Sequence, residues 1–574
     1  RGGPMYRGAT SRISMKGFSQ ASTPVPRSRR RYASSATRAG SLIPEQIMAI
    51  GTRSVVWCAS ARLTRSRLDI RSRPGMIASM VSTGAIIRGA MAPRAEIREH
   101  RGRRKLFVAG RPFLALGIQI DFLNTTRVED FDWLFAHIVK LGCNTVFFPV
   151  RWFVLEPEEG RFNWVVVDHA VARCRELGLR MALLWFGTNQ GGRSGSAPKW
   201  VREGRFRRMQ DPDGKDLPGL CPTQPDLLAV EKRALDSLLA RVAERDGDAT
   251  ILLQCENEPC IRMDATPSGA GAAVPDTYQP RCMCSACTTA FRTEGGSEFA
   301  FGVRSLTRYF TGLLAGQKRL LPVPAYANFP TNPLRSGEDV ALWLDECPAI
   351  DFVAPDYYGF SPSDLAFTMR HFAAGRNLPF VAEHSTESTG DADLNLFLAV
   401  LEHGAAGFDP WAIDHAFGWR HWRDHVYERP FVPRDGSWTD AATAYGRVQS
   451  SLHAIAAPLA DALGGDGVMH YAAAAGIPRK MEERRWGFHW TVLSGPASRW
   501  VAVRTGDGEA TISGVDAQVT VGPLAPGVSL ALSEGRWDGN TWREDRLVPA
   551  DGEPRGRASG WRAFALAPRR ADPV

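Results

Sequence analysis

Ile251-Leu252-Leu253-Gln254-Cys255-Glu256-Asn257-Glu258-Pro259 is an apolar run that stops abruptly at carboxylates, and Phe380-Val381-Ala382-Glu383-His384 repeats the pattern further along the chain. An acid that closes an apolar run is what a buried barrel strand looks like where it delivers a reactive side chain to the rim. Most of the 61 Asp and Glu residues belong on solvated faces, so these positions stand out. From residue 105 onward, strand-like runs alternate with helical stretches. The predicted strands are Leu114–Ile120, Thr145–Val150, Met181–Phe186, Ile251–Cys255, Ala325–Asn328, Asp351–Ala354, Phe380–Ala382 and Ala406–Asp409. Amphipathic segments such as Val128–Leu141, Val165–Leu177, Leu227–Ala243 and Leu394–His403 lie between them. Eight βα units predict an α/β chain built on a (β/α)8 TIM barrel whose active site lies at the carboxyl ends of the strands; a doubly wound sheet is the alternative.

After about residue 460 the rhythm changes to Trp486–Leu493, Trp500–Arg504, Ala510–Ser513, Gln518–Val521, Val528–Leu532 and Trp561–Leu566, short runs separated by Gly, Pro and Asp. They predict a small C-terminal antiparallel β-sandwich, a carbohydrate-binding module or a packing or lid module. The expected organisation is a basic leader over 1–90, the barrel over 91–460 and the sandwich over 461–574.

The net charge of +9 is unevenly spread: residues 1–90 hold 16 Lys and Arg against 2 acids, which leaves 54 against 59 beyond. A polyanion-binding role would rest on the leader alone, so no nucleic-acid partner is expected. The leader is rich in Arg, Ser and Ala without hydrophobic periodicity and is expected to be disordered, either a transit peptide or read-through ahead of a start at Met91. No run of 18 apolar residues occurs, so no membrane association and a cytoplasmic location are expected.

Two carboxylates at strand ends suit glycosidic bond cleavage, in which one group protonates the leaving oxygen and the other attacks or stabilises the anomeric carbon. Glu256 rivals Glu258, because residues two apart on a regular strand share a face.

With the strands placed, the chain resembles the retaining glycoside hydrolases of the barrel clan that holds families 35 and 42, the β-galactosidases. Gln254-Cys255-Glu256-Asn257-Glu258 is close to the family 35 form of the clan's Asn-Glu signature, and Glu383 matches its nucleophile. Trp152-Phe153-Val154-Leu155-Glu156-Pro157-Glu158-Glu159-Gly160-Arg161-Phe162 resembles a motif both families carry after the second strand. Leu184-Trp185-Phe186-Gly187 and Asp351-Phe352-Val353-Ala354-Pro355-Asp356-Tyr357-Tyr358 are similar to a bacterial branch of family 35. Cys282-Met283-Cys284-Ser285-Ala286-Cys287 looks like the family 42 zinc motif, and Cys221-Pro222-Thr223-Gln224-Pro225 like the segment that supplies a fourth thiolate there.

The resemblance implies a retaining exo-acting β-galactosidase with Glu258 as acid/base and Glu383 as nucleophile. Asn257 would bond the sugar 2-hydroxyl, and Tyr358, or alternatively Tyr357, would orient Glu383. Trp411 would stack on the hexose, with Trp152 and Glu156 near the mouth. Cys221, Cys282, Cys284 and Cys287 would hold a structural zinc, since four thiolates leave no open position. The expected partner is a β-galactoside or related oligosaccharide, with no redox or nucleotide cofactor, and a homo-oligomer stays open. The glycine-rich stretch Gly187-Thr188-Asn189-Gln190-Gly191-Gly192 lacks phosphate-loop spacing and is expected to be a mobile loop over the pocket. A β-glucosidase, β-fucosidase or α-L-arabinopyranosidase is the alternative within this chemistry. A silent carbohydrate-binding barrel or a zinc-dependent hydrolase is the alternative outside it.

Overall fold

In a computed structural model, eight parallel strands close into a barrel: Ala115–Gln119, Thr145–Arg151, Arg180–Gln190, Thr250–Asn257, Ala325–Pro330, Phe352–Tyr357, Val381–Ser385 and Gly407–Trp411. Each pairs with its neighbours in sequence, and the eighth returns to the first through Gly407↔Ala115 and Phe408↔Leu116. The structure describes residues 94–245, 248–261, 279–330, 337–358, 361–373, 375–385, 392–414, 431–473, 479–524, 530–548 and 562–568; the leader expected over 1–90 lies outside these.

All eight strands stand where the apolar runs predict them. Alternation assigns their faces. Leu114, Leu116, Ile118 and Ile120 pack outward with the helices, while Ala115, Phe147, Leu184, Leu252, Tyr326, Phe352, Ala354, Phe380 and Ala382 fill the interior. Tyr326 and Phe352 stack at 4.7 Å in the middle of that interior, which is a packed core rather than a pore. Each such ring adds roughly 1.5–3 kcal/mol by leaving water. Gln119, Gln254, Asn328, Asp356 and Glu383 are buried toward the carboxyl ends of the strands.

Two features depart from expectation. First, a three-stranded antiparallel sheet, Ala95–His100, Arg103–Val108 and Arg111–Phe113, precedes the barrel. Its Ala95, Leu106 and Val108 join the interior cluster and seal the amino-terminal mouth. The run Arg98-Glu99-His100-Arg101-Gly102-Arg103-Arg104-Lys105 disguises it, because one face of the hairpin is almost wholly charged.

Second, the C-terminal strands are antiparallel as expected but belong to one hydrogen-bonded, seven-stranded sheet. Trp486–Leu493 and Trp500–Arg504, read as separate strands, fall largely within one 19-residue strand, Phe488–Gly506. Gly495 and Pro496 look like a break but occupy a bulge between Ser494 and Arg499. Trp490 and Trp500, from the two halves of that strand, share one apolar cluster. The sheet rests on the barrel's last long helix, Asp440–Ala454, through the Ser451 and Ser513 hydroxyls at 2.9 Å. Val501, Val503 and Val515 of the sheet join the core around the barrel.

Candidate active site

The fourth strand does not stay regular to its end. Its ladder with the fifth strand stops at Ala325↔Leu253 and Tyr326↔Gln254, and Glu256 and Glu258 then take left-handed backbone angles, φ 61° and 47°. Such angles cost about 1–3 kcal/mol each in residues other than Gly and persist where surrounding structure enforces them. They also break the alternation that made Glu256 and Glu258 equivalent.

Glu256 turns toward the helix layer. Its carboxylate accepts the backbone N–H groups of Gly187 (2.9 Å), Thr188 (2.9 Å) and Asn189 (3.1 Å), plus the Thr188 hydroxyl at 3.1 Å. Burial and the adjacent Glu231 charge push its pKa well above the usual carboxylate range, against the pull of those N–H bonds. Glu231, on the helix Pro225–Arg245, accepts in turn from Trp185 Nε1 (2.9 Å) and the Tyr309 hydroxyl. Gly187 is required here, since a Cβ would collide with the Glu231 carboxylate.

Glu258 goes the other way. Carboxylate oxygens of Glu258, Asp356 and Glu383 lie within 4.8 Å of one another at the barrel mouth. On the seventh strand a bulge between Val381 and His384 re-aims the side chains. Ala382 packs into the interior, His384 packs outward against Tyr357 and Phe408, and Glu383 is turned inward. The Tyr358 hydroxyl donates to Glu383 Oε2, whereas Tyr357 donates on the outer side to the Ser361 carbonyl at 2.8 Å. Burial first, then the Glu258 charge, pushes Glu383 up to about 8, with the Tyr358 bond pulling the other way. Burial and the Glu383 and Glu258 charges hold Asp356 well above the usual range.

Asn257, buried between Glu256 and Glu258, accepts at Oδ1 from Asn328 (3.0 Å) and Gln254 (3.2 Å), so its Nδ2 is the end left to donate. Trp411 is half-buried at the rim of the eighth strand, paired in register with Ser385, two residues past Glu383.

The structure does not bring Trp152 and Glu156 to this cluster. Trp152 is fully buried in the wall, 6.2 Å from Trp185 and 5.8 Å from Trp200 between ring centroids. Glu156 is spent on structure: it accepts from Trp152 Nε1 (2.8 Å), the Gly160 N–H (2.7 Å) and Arg233 (2.6 Å). A buried carboxylate needs such partners. The stretch Gly187–Gly192, expected to be a mobile loop, is instead the largely buried end of the third strand and the turn after it, tied down through Gly187–Asn189 on Glu256 and through Gly191 N–H to the Asn257 carbonyl at 2.9 Å.

Sequence reasoning overlooked Asn328 and Asp356, although both end apolar runs, Ala325-Tyr326-Ala327 and Phe352-Val353-Ala354-Pro355, by the same signature that marked Glu258 and Glu383. Deeper in the barrel, Asp409 is fully buried with neither carboxylate oxygen hydrogen-bonded, and burial pushes it well above its usual range.

Away from the mouth, the Sγ atoms of Cys221, Cys282, Cys284 and Cys287 lie within 4.8 Å of one another, all four buried. Cys221 is 3.8 Å from Cys284 and 3.4 Å from Cys287. Zn–S bonds of 2.3 Å set tetrahedral S···S edges of about 3.8 Å. The donor set and its spacing therefore fit a closed tetrahedral zinc site. The Met283 N–H, bonded at 2.9 Å to the Gln210 carbonyl, joins the thiol-bearing segment to the small hairpin Arg208–Gln210/Asp216–Leu220 that leads into Cys221.

No helix among the described residues is long and apolar enough to cross a membrane. No protein-family model and no curated protein matches the chain. Among solved structures it is similar to a β-galactosidase from the Antarctic haloarchaeon Halorubrum lacusprofundi, with 18% identity and a TM-score of 0.46 over 59% of this chain and 58% of that one. It is also similar to a cold-adapted β-galactosidase from Rahnella sp. R3 (16%, 0.46, 63% and 58%) and to an exo-β-1,4-mannosidase from Opitutaceae bacterium strain TAV5 (16%, 0.42, 59% and 60%). The chain thus spans about three-fifths of the length of these neighbours.

Proposed function

We propose that this chain is a retaining exo-acting β-glycosidase of terminal β-D-galactosides, working through a covalent glycosyl-enzyme intermediate. The observation that carries the reading is the gathering of Glu258 and Glu383, together with Asp356, into one cluster at the carboxyl ends of the strands, with a carboxylate oxygen of each within 4.8 Å of the others. Retaining enzymes hold their two carboxyl groups about 5–5.5 Å apart, whereas inverting ones need about 6.5–9.5 Å to admit a water between carboxylate and sugar.

In the first step Glu383 Oε attacks the anomeric carbon while Glu258 gives its proton to the departing glycosidic oxygen; the C–O bond breaks as the ester bond forms. Attack requires Glu383 in its ionised form, and the Tyr358 hydroxyl, donating to it, favours that form against the burial that opposes it. Esterification removes the Glu383 charge, so Glu258 no longer faces it and can accept a proton from water in the second step. That water's oxygen displaces Glu383 and restores the anomeric configuration. Asn257 Nδ2 would donate to the 2-hydroxyl, a contact that strengthens with oxocarbenium character. Trp411 would present a ring face to the sugar's C–H surface.

The four thiolates would hold zinc as a structural ion, which when bound cross-links the hairpin before Cys221 to the segment around Cys282–Cys287. The purified protein assayed against a panel of chromogenic β-D-galactoside, β-D-glucoside, β-D-fucoside and α-L-arabinopyranoside substrates, with the first-formed anomer followed by proton NMR, tests the reading. Turnover of the galactoside with retained configuration supports it; an inverted product, or no turnover of any of them, overturns it.

A further inference from the structure

The fourth and fifth strands share only two ladder pairs, and above them the chain from Glu256 to Glu258 has left the sheet in two left-handed steps. Its backbone N–H groups then need partners from elsewhere. One side chain supplies the link. Asn328, fully buried on the fifth strand, accepts the Glu258 N–H at Oδ1 (3.0 Å). Its Nδ2 donates toward Asn257 Oδ1 (3.0 Å), toward Asp356 (3.0 and 3.2 Å) and, more distantly, toward Glu383 Oε1 (3.5 Å). A single amide therefore touches the residue that carries the acid/base, the neighbour that faces the sugar, the nucleophile and the third carboxylate.

We propose that Asn328 is a positioning residue for the reaction: in place of the missing ladder, its amide fixes the separation and aim of Glu258 relative to Glu383, with Asp356 as its anchor. This rests on the glycosidase reading above. Three features argue for positioning over simple packing. The amide is used at both ends, so no isosteric apolar side chain could replace it. It bonds the backbone of Glu258 and not its carboxylate, so it holds the root of the acid/base rather than its reacting end. And its donor end lies where Asp356 and Glu383 are paired in register, which ties the fourth strand to the sixth and seventh across the fifth.

The two halves of the amide can be separated by substitution. Asn328→Ala removes both. Asn328→Asp keeps the acceptor for the Glu258 N–H and the side-chain shape, but replaces the donor with a charge facing Asp356 and Glu383. Wild type and both variants are compared in melting temperature, in the fraction of sites trapped by a 2-deoxy-2-fluoro-glycoside with a dinitrophenolate leaving group, and in kcat and KM across pH. The substrates are aryl galactosides with good and poor leaving groups. Positioning predicts that Asn328→Ala lowers kcat by about 100-fold per trapped site, with KM changed only a few-fold, and falls hardest on poor leaving groups, which depend most on a well-aimed acid. Asn328→Asp should move the pH profile to higher pH, because an added anion resists ionisation of its neighbours.

A merely structural role would lower melting temperature and trapped fraction while leaving kcat per trapped site and the pH profile alone. That result overturns the proposal, as does activity within threefold of wild type in both variants. If Asn328→Ala does not fold, the isosteric Asn328→Asp decides by the same two readouts. Failure of the glycosidase reading is distinct: wild type itself then neither turns over nor traps, and the proposal falls with it.

Discussion

Asp356 and Glu383 sit directly opposite each other in the parallel ladder between the sixth and seventh strands. Two acids at one level of a closed barrel, with Glu258 completing the group, cannot all be ionised. The site therefore stores protons. Glu383, at about 8, binds a proton in the folded protein over a range where the unfolded chain, near 4.5, has lost it. Its folded pKa is raised, so its contribution favours folding least at high pH: stability falls as pH rises from about 4.5 to about 8. Glu383→Gln, which cannot ionise, should melt at the same temperature as wild type near pH 4 and above it at pH 8. Thermal melts of both proteins across that range check it; a gap that shrinks with rising pH would contradict the proton-storing site.

Asp356 extends the argument. Burial and the Glu383 and Glu258 charges push its pKa upward, which favours the protonated form, an acid able to donate a hydrogen bond. Asn is the closest mimic of that state, and Asp356→Asn should keep kcat within about tenfold of wild type, while Asp356→Ala, which removes one of the acceptors of the Asn328 amide, should lose considerably more. Side-by-side kcat values and melting temperatures of the two variants decide it, and an Asn variant as crippled as the Ala variant would mean the charge itself is needed.

The thiol cluster predicts a separate behaviour. Because four thiolates complete a tetrahedral shell, zinc should be found at one equivalent per chain, and its removal should lower the melting temperature without acting on the chemistry of molecules still folded. Metal analysis with melts before and after a chelator checks this. Rapid chelator inhibition, reversed by zinc and with no loss of thermal stability, would instead make the metal part of the reaction.

What could be read in advance follows from how each feature is encoded. The barrel strands are continuous apolar runs of period two with acids or amides at their ends, a signal local enough to find all eight. Glu258, Asn257 and Tyr358 stand a few residues beyond such runs, and Glu258 and Asn257 were singled out by the family resemblance, whereas Glu383 follows its run at once and was legible there. The separation of Glu256 from Glu258 was not, since nothing in Glu256-Asn257-Glu258 announces two left-handed residues; that geometry is imposed by Gly187, Thr188 and Asn189 some 67 to 69 positions earlier. Glu156 and Trp152 misled in another way. The family resemblance placed them near the mouth, whereas in the fold the Trp152 N–H and the Glu156 carboxylate bond each other, with Gly160 and Arg233 completing the Glu156 shell. Asn328 went unread because an amide at a strand end has many uses, and its four partners are far apart in sequence.

Glu256 offers a sharper test of that imposed geometry. Glu256→Ala removes the acceptor for three backbone N–H groups in a buried site, so it should lower stability by several kcal/mol, at about 1–3 kcal/mol for each orphaned donor. Activity should fall with the misplaced Glu258, but added azide should not restore it, because the reacting carboxylates are still present. Denaturant unfolding and azide titration of the variant's activity check both halves.

Chemical rescue separates the two carboxylates themselves. Glu383→Ala should stop turnover even for aryl glycosides with good leaving groups, because no ester can form. Azide should then restore cleavage and give a glycosyl azide of inverted configuration, the anion attacking from the side the nucleophile vacated. Glu258→Ala should spare the first step for activated leaving groups, which need little protonation, and slow the second, where a base must take a proton from water. Azide attacks the intermediate without such help, so the product here should retain configuration. Both outcomes are read from product stereochemistry by NMR, with burst kinetics reporting accumulation of the intermediate. If Glu256→Ala shows the Glu258→Ala profile while Glu258→Ala behaves as wild type, the acid/base lies two residues earlier and the inward turn of Glu258 has another purpose; if no variant is rescued in either sense, the chain is not a retaining glycosidase.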